Sequence, residues 1–350
     1  MAAAIGLDIG SSAVRAVQIR HGRRGSSLEQ VGQVVLPTDA VRDGEIAEPE
    51  VVADALKQLW RTFKLKGRKV ALGLANQQVI VRRLDLPFMT KTELRTSLPL
   101  QVDGLIPIPV DQAVLDFCYL GEWTNDEGER LVRILLVAAQ RAMVDALIAV
   151  VQRAKLEPTG IDLNAFAALR SLVPPDLFAD PTAELLADIG STVTNLVVHQ
   201  NGAPHFVRTV LFGGQTIIDV LAEQRDIDDQ GAQRSATPPG ADEAHASDEM
   251  VARDIVRAQS RRLIDEIKSS IDYCTAQRDI PPIDRIVLTG GASQLPELPE
   301  QMADDLRLDI TTGSPLGALD KSKSSIRDET LAEAEPFLAV AVGLALGVPS

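Results

Sequence analysis

Two spacings of apolar positions divide this chain, a period of two that marks strands and a period near 3.6 that marks helices. Residues 3–9 are an apolar run that stops at Gly10-Ser11-Ser12. Residues 13–20 alternate, and residues 28–36 return as a third strand that Pro37 ends. A basic Gly/Ser turn, residues 21–26, separates the last two. Connections this tight predict antiparallel hairpins rather than helical crossovers. Pro49 then opens a helix to about residue 63, with Val52, Leu56, Leu59 and Phe63 on one face. Residues 69–75 and 78–86 read as a strand pair, and residues 91–105 as a helical segment kinked at Pro99. Strands at 113–120 and 133–139 flank the polar turn 124–129. A helix at 141–154, a short strand at 158–162 and a helix at 163–171 follow.

Residues 174–183 carry Pro174, Pro175 and Pro181, which marks a lobe boundary, and after them the opening pattern recurs. Residues 185–189 are an apolar strand closed by Gly190-Ser191-Thr192. Residues 194–199 and 206–212 are joined by an Asn201-Gly202 hairpin turn, and a helix starts near Gly214. Residues 225–248 are acidic, rich in Ser, Pro and Gly and poor in apolar groups, the composition of a mobile surface insertion. A long amphipathic helix at 251–275 is followed by a strand at 285–289, a glycine turn, a helix at 296–306, a strand at 308–312 and a last helix at 330–346. The expected organisation is a first lobe over 1–174, with an inserted subdomain at about 85–157, and a second lobe over 175–350.

Composition narrows the function classes. The chain has 350 residues, too many for one compact core, and its 45% apolar and 24% charged residues are globular values. The net charge of −14 repels phosphate backbones and anionic lipid, so no nucleic-acid partner is expected. The basic groups Arg23-Arg24 and Lys64, Lys66, Arg68 and Lys69 read as solvated turns. Cys118 and Cys274 lie in apolar periodic segments and read as free buried thiols of a reducing compartment. The first six residues lack a secretory leader pattern, and the longest apolar run, 337–348, is far short of the roughly 20 residues that span a bilayer. A cytoplasmic protein that meets the membrane only through a partner is the expectation. The histidines His21, His199, His205 and His245 show no metal spacing, and no Ser-His-Asp arrangement is suggested.

Three turns carry candidate chemistry. In Leu7-Asp8-Ile9-Gly10-Ser11-Ser12, with Arg15 beyond, a tight strand-to-strand turn presents successive N–H groups and hydroxyls to an anion, and Asp8 at the strand end can hold Mg2+ through water. Ala187-Asp188-Ile189-Gly190-Ser191-Thr192, with Thr194 and Asn195, repeats it in the same setting. Either alone is an ordinary hairpin turn. Two of them, each opening a three-strand meander, match what a nucleoside triphosphate with Mg2+ requires. The third, Thr289-Gly290-Gly291-Ala292-Ser293, ends an apolar strand and allows flat contact with a ribose or purine. Gly213 and Gly214 begin a helix whose N-terminus suits a phosphate, Glu266 and Lys268 lie on the long helix as candidates to flank the base or ribose, and Asp162 at a strand end is a candidate to orient a water.

In this order the three turns resemble the phosphate-1, phosphate-2 and adenosine motifs of the actin-like ATPase superfamily, over nearly the whole chain. That resemblance implies an α/β fold of the actin/Hsp70 type (ribonuclease H-like), two-lobed with duplicated mixed sheets, with ATP in the interlobe cleft. Residues 86–90, Glu93-Leu94, residues 106–110 and 113–117 resemble the inserted 1C subdomain of the PilM family of type IV pilus assembly proteins, the closest match, with the FtsA cell-division family next. Residues 161–167 resemble that family's interlobe connection, and Ser269, Ile271-Asp272-Tyr273 and residues 340–346 fit as well. An FtsA-like chain is expected to end in a basic amphipathic helix, and this one ends in Gly347-Val348-Pro349-Ser350.

The family resemblance implies Mg-ATP binding and attachment to pilus platform proteins by gripping the short cytoplasmic N-terminal peptide of a PilN-like membrane partner. It would place the chain at the inner face of the cell membrane. Carried over by position, Asp8, Gly10, Ser11, Ser12 and Arg15 form the first phosphate turn, and Asp188, Gly190, Ser191, Thr192 and Thr194 the second. Gly290, Gly291 and Ala292 form the adenosine site. Leu86, Pro87, Phe88, Met89, Ile106, Pro107 and Ile108 supply part of the peptide groove. Asp8, Asp162 and Asp188 are the candidate catalytic acids. Relatives often carry more glycine and an acidic residue in the second turn, whereas this chain has Ser191, Thr192, Val193 and Asn195, which points to slow hydrolysis at most. An assembly adaptor, a small-molecule kinase of the same fold and a filament-forming homologue all remain open.

Overall fold

The computed structural model describes residues 3–23, 25–173, 182–225, 228–236, 246–277, 280–324 and 326–348. The proline-marked boundary, Pro174, Pro175 and Pro181, lies outside the described residues.

Three antiparallel strands open the chain, β1 (Ala3–Ile9), β2 (Ala13–Gly22) and β3 (Gly25–Val35). A small hairpin follows, β4 (Val41–Arg42) and β5 (Glu45–Ile46), and then helix α1 (Pro49–Phe63). Strand β6 (Lys69–Leu74) pairs parallel with β1, and β10 (Glu157–Leu163) pairs parallel with β6. The sheet order is β10-β6-β1-β2-β3. The second half repeats it with β11 (Ala183–Ile189), β12 (Thr194–Gln200), β13 (Ala203–Val210), β14 (Ile283–Thr289) and β15 (Asp309–Thr312), in the order β13-β12-β11-β14-β15. Each sheet has three antiparallel strands and two parallel ones added at the same side of the first strand.

Between β6 and β10 a third sheet is inserted. It contains β7 (Ile80–Pro87), β8 (Ala113–Thr124) and β9 (Arg130–Gln140), ordered β7-β9-β8, with helix α2 (Lys91–Gln101) on one face. Here the structure corrects the expected strand pair at 69–75 and 78–86. β6 stays in the main sheet, while Asn76 bends the chain by accepting the Gln78 N–H at 2.7 Å, and β7 pairs with β9 instead. A capping box of Thr90 and Glu93 starts α2, which passes through Pro99 and stops at Gln101, short of residue 105.

Helices α1 and α3 (Arg141–Arg153) pack on the first sheet, and α5 (Gly214–Arg225), α7 (Ala246–Thr275) and α8 (Leu298–Leu306) on the second. Within the expected acidic insertion at 225–248, residues 229–235 form a short helix, α6 (Asp229–Ser235), and residues 226–227 and 237–245 lie outside the described residues.

Two helices sit between the sheets, α4 (Asn164–Leu172) and the last helix, α10 (Ala339–Gly347). The single helix expected at 330–346 is in fact two, α9 (Asp328–Ala334) and α10, bent by 87° at a turn containing Pro336. Residues 339–345 of α10 are all buried, which explains their unbroken apolarity. The crossing with α4 is so close that a Cβ on Gly343 would stand 1.7 Å from the Ala167 carbonyl oxygen.

Candidate nucleotide-binding site

The turns after β1 and β11 are built alike. The Gly10 N–H donates to the Ala13 carbonyl at 3.0 Å, and the Gly190 N–H to the Val193 carbonyl at 2.9 Å. Asp8 stands opposite Arg15 in the β1–β2 register, and Asp188 opposite Asn195 in the β11–β12 register. Both carboxylates are buried, Asp8 6% and Asp188 8% exposed. Burial pushes the Asp8 carboxyl above its ordinary range, against the pull of Arg15 at 3.8 Å. Burial likewise lifts Asp188 to about 6, opposed by the Asn195 amide at 3.2 Å and aggravated by Asp8. Arg15 is held over the Phe337 ring at 5.3 Å and donates to Gln33 at 2.9 Å. Two hard carboxylates whose charge is poorly compensated suit a divalent cation held through water, which is how Mg2+ is usually bound beside phosphates.

The three motifs touch one another. Thr192 donates to the Ser11 hydroxyl at 2.8 Å, which ties the first turn to the second. Gly290 has φ 88°, and a Cβ there would stand 2.3 Å from the Ile189 carbonyl oxygen, so the third turn packs directly on the second. A Cβ on Gly214 would lie 3.0 Å from the Ala292 Cβ, and the N–H groups of Gly214 and Gln215 donate to the carbonyls of Gly190 and Ser191 at 3.0 and 2.7 Å. Gly213 lies flat on the Ser191 carbonyl. Gly291 faces the Phe337 ring. The Ser12 carbonyl anchors the end of β3 by accepting the Leu36 N–H at 2.9 Å.

Beside the first two turns lies a cleft of about 230 Å3. Gly10, Ser11 and Thr192 line it, together with residues the motif search missed: Glu45 and its hairpin, Gln140 and Asn164. Asp43-Gly44 was a legible hairpin signal for the first of these. The third turn does not line this cleft.

Three expected site residues have other partners. Thr194 is fully buried and its hydroxyl donates to the Phe212 carbonyl at 2.7 Å, so it ties β12 to the start of α5. Glu266 accepts from Arg208 of β13 at 2.8 Å, which engages its carboxylate at a sheet edge. Asp162 accepts from Arg170 at 2.6 Å and from the Leu163 N–H at 2.8 Å, and it does not line the cleft.

The expected groove residues also divide. Leu86 and Ile106 are 6% and 8% exposed and belong to the core under α2. Phe88 is 37% exposed, with the Arg130 guanidinium 3.6 Å above its ring. Pro87 and Pro107 are exposed, Met89 and Ile108 half-buried, and Leu100 of α2 and Leu105 are also exposed.

The family model described as type IV pilus assembly protein PilM matches residues 6–348. The chain belongs to the PilM family. A solved PilM-PilN type IV pilus biogenesis complex superposes on it with TM-score 0.83 at 26% identity, covering 98% of this chain and 97% of that one. The cell division protein FtsA of Rhizobium meliloti (strain 1021) is 26% identical over 368 residues, covering 89% of this chain and 81% of that protein. MreB5 of Spiroplasma citri, solved with AMPPNP, shares the fold with TM-score 0.54 at 14% identity, covering 98% and 95% of the two chains. This PilM-family chain therefore has the actin-like fold. Among its described residues no single helix is long and apolar enough to cross a membrane, and the bent pair α9 and α10 that passes by composition has its second member buried.

Proposed function

We propose that this chain binds Mg-ATP between its two strand turns and attaches a type IV pilus platform to the membrane by holding the short N-terminal peptide of a PilN-like membrane protein. The observation that carries the nucleotide half is the contact of the duplicated turns. Ser11 and Thr192 meet at 2.8 Å with buried Asp8 and Asp188 at the two strand ends behind them. Backbone N–H groups and hydroxyls of Gly10, Ser11, Ser12, Gly190, Ser191 and Thr192 would hold the phosphates, with Arg15 adding fixed positive charge. Bound Mg2+ would neutralise phosphate oxygens, while Asp8 and Asp188 hold its waters. Gly290, Gly291 and Ala292 would take the adenosine. The units 1–174 and 175–350 would act as lobes closing on the nucleotide.

The peptide half is supported by the likeness to the PilM-PilN complex and by accessible apolar groups of the inserted subdomain, Phe88 just after β7, Leu100 of α2 and Leu105 in the loop beyond it. An extended apolar peptide docked on such a surface gains affinity from a few buried side chains. In this reading the chain lies at the inner face of the membrane through its partner and contacts further platform proteins.

Calorimetric titration tests both halves, with Mg-ATP and with a synthetic partner-tail peptide, on the parent chain and on Asp188→Ala. The reading expects the parent to bind both ligands and the variant to lose ATP. A parent that binds no ATP refutes the cleft, and one that binds ATP but no peptide refutes the adaptor role.

A further inference from the structure

We infer that the end of the first sheet opposite the Gly10 turn is a docking surface for a membrane rich in acidic phospholipid. The inference goes beyond the adaptor reading, because the contact is made by the chain's own side chains and needs neither nucleotide nor partner peptide.

The basic groups that read separately as solvated turns are gathered at this end by main-chain bonds. The Lys66 N–H donates to the Gln18 side chain at 2.8 Å, which brings the loop between α1 and β6 onto β2. The Trp60 indole holds that loop by donating to the Gly67 carbonyl at 2.9 Å. The Asp320 N–H donates to the Ser26 carbonyl and the Leu28 N–H to the Asp320 carbonyl, both at 3.0 Å, so the loop carrying Lys321 and Lys323 lies against the start of β3 and its turn with Arg23. The Glu157 N–H donates to the Arg68 carbonyl at 2.7 Å, which adds Lys155.

Residues 20–29, 64–69, 155–157 and 320–323 hold ten Lys and Arg against three Asp and Glu, a net +7, while the rest of the chain carries −21. Arg20 is paired with Glu29. The four cations of the 64–69 loop are all exposed and make no ion pair among the described residues, and the same is true of Arg23, Lys155, Lys321 and Lys323. Glu29 and Asp320 are the acids within electrostatic reach, of Lys66 and Lys323. Protein surfaces ordinarily mix the two signs, and a one-signed end on an acidic chain is the footprint of an anionic partner.

The form of this end favours lipid. Five strands at their usual spacing spread the cations over about 19 Å, a broad surface rather than a groove. Leu28, Leu65 and Leu156, the apolar side chains of these segments, are buried, which leaves no pocket for a peptide anchor. Phe63 packs on Gly32 and Trp60 is half-buried, so no exposed ring offers a stacking platform for single-stranded nucleic acid. Headgroup phosphates rearrange laterally and can meet cations at irregular spacing, which a folded acidic surface cannot. The acidic remainder of the chain is repelled by the same headgroups, which turns the basic end inward. Each Lys or Arg near an anionic bilayer contributes about fivefold in affinity, and a peptide tether to a membrane partner would add to so weak a contact.

The test is co-sedimentation of the full chain, without any partner, with vesicles of equal parts phosphatidylglycerol and phosphatidylcholine and with vesicles of phosphatidylcholine alone. Binding is expected to the first only, at about 50 mM salt, and to be lost at about 0.5 M. Arg23→Glu, Lys66→Glu and Lys321→Glu together, one from each loop, are expected to weaken it by about a hundredfold or more. Arg253→Glu, Arg257→Glu and Arg261→Glu on α7 change the net charge equally and are expected to leave it within about threefold, with melting curves confirming that both variants fold. No binding to the acidic vesicles, or equal loss in the two triple variants, overturns the inference. So does tighter binding to a short DNA duplex or to polyglutamate, which would give this end to another polyanion.

Discussion

Replacing Asp188 with asparagine should stabilise the ligand-free protein at neutral pH while abolishing its response to Mg-ATP. The carboxyl titrates at about 6 in the folded chain against an ordinary value of 3.8, chiefly because it is buried. A folded pKa raised in this way means that folding favours the protonated acid. The contribution is fully present below the unfolded value and is lost as pH rises through the folded one. Above pH 7 the folded state carries the whole penalty, and the difference of about two units corresponds to about 3 kcal/mol at most. The D188N variant keeps the shape and a hydrogen bond to Asn195 but removes the charge, and it also relieves Asp8. For a chain of this length about 3 kcal/mol corresponds to a rise of about 4 °C in the midpoint. Thermal melts of parent and D188N, with chelator, at pH 7.5, 6.0 and 4.5 read the effect directly. The gap should be largest at pH 7.5 and fall to about a third of that by pH 4.5. With Mg-ATP at pH 7.5 the parent should gain stability and the variant should not. A variant less stable than the parent at pH 7.5, or a gap that does not narrow on acidification, refutes the argument that buried, uncompensated charge marks this site.

Gly343→Ala should lower stability on the order of 3 kcal/mol, because the added Cβ meets the backbone of α4 rather than a movable side chain, and a chemical denaturation curve measures it. Phe88→Ala should leave the melting temperature nearly unchanged, since the ring is 37% exposed, while partner-peptide affinity falls by about tenfold in a fluorescence titration. The Cys274 thiol is fully buried and pushed up to about 12, so at pH 8 it should resist a thiol reagent in the native protein and react on unfolding.

The duplicated architecture was legible because the strand-turn-strand pattern around Gly10-Ser11-Ser12 recurs around Gly190-Ser191-Thr192, and repetition is visible in one sequence. Strand pairing was less legible. Strands β6 and β7 are neighbours along the chain, yet Val70–Leu74 and the β7 residues belong to different sheets. The difference lies in the turn made by Asn76, a side-chain contact that periodicity does not show. The final helix reads as one because apolar periodicity runs on either side of Pro336, and only the fold places a right-angled bend there. At the site, polarity is a poor guide to accessibility. Thr194 and Glu266 have the right chemistry and are occupied by Phe212 and Arg208. Asn164 stands beside the more suggestive Asp162, and which of the two faces the cleft depends on the direction of a strand end rather than on residue type.

The cleft and the inserted sheet are joined by one element. β9 is the central strand of that sheet, bonded on both sides, and it runs from Arg130 to Gln140. Arg130 lies over the Phe88 ring, and Gln140 lines the cleft. Eleven residues of strand span roughly 35 Å, and a strand paired on both edges does not bend locally without breaking ladder bonds. A displacement of the Gln140 end by bound nucleotide would thus move the Phe88 surface as a body rather than be absorbed between them. Binding linkage then requires that any factor by which ATP changes peptide affinity equal the factor by which peptide changes ATP affinity. Four titrations, each ligand with and without the other, close that cycle. Identical affinities throughout would mean that β9 holds the two surfaces at a fixed spacing and that the pilus partner is gripped regardless of nucleotide.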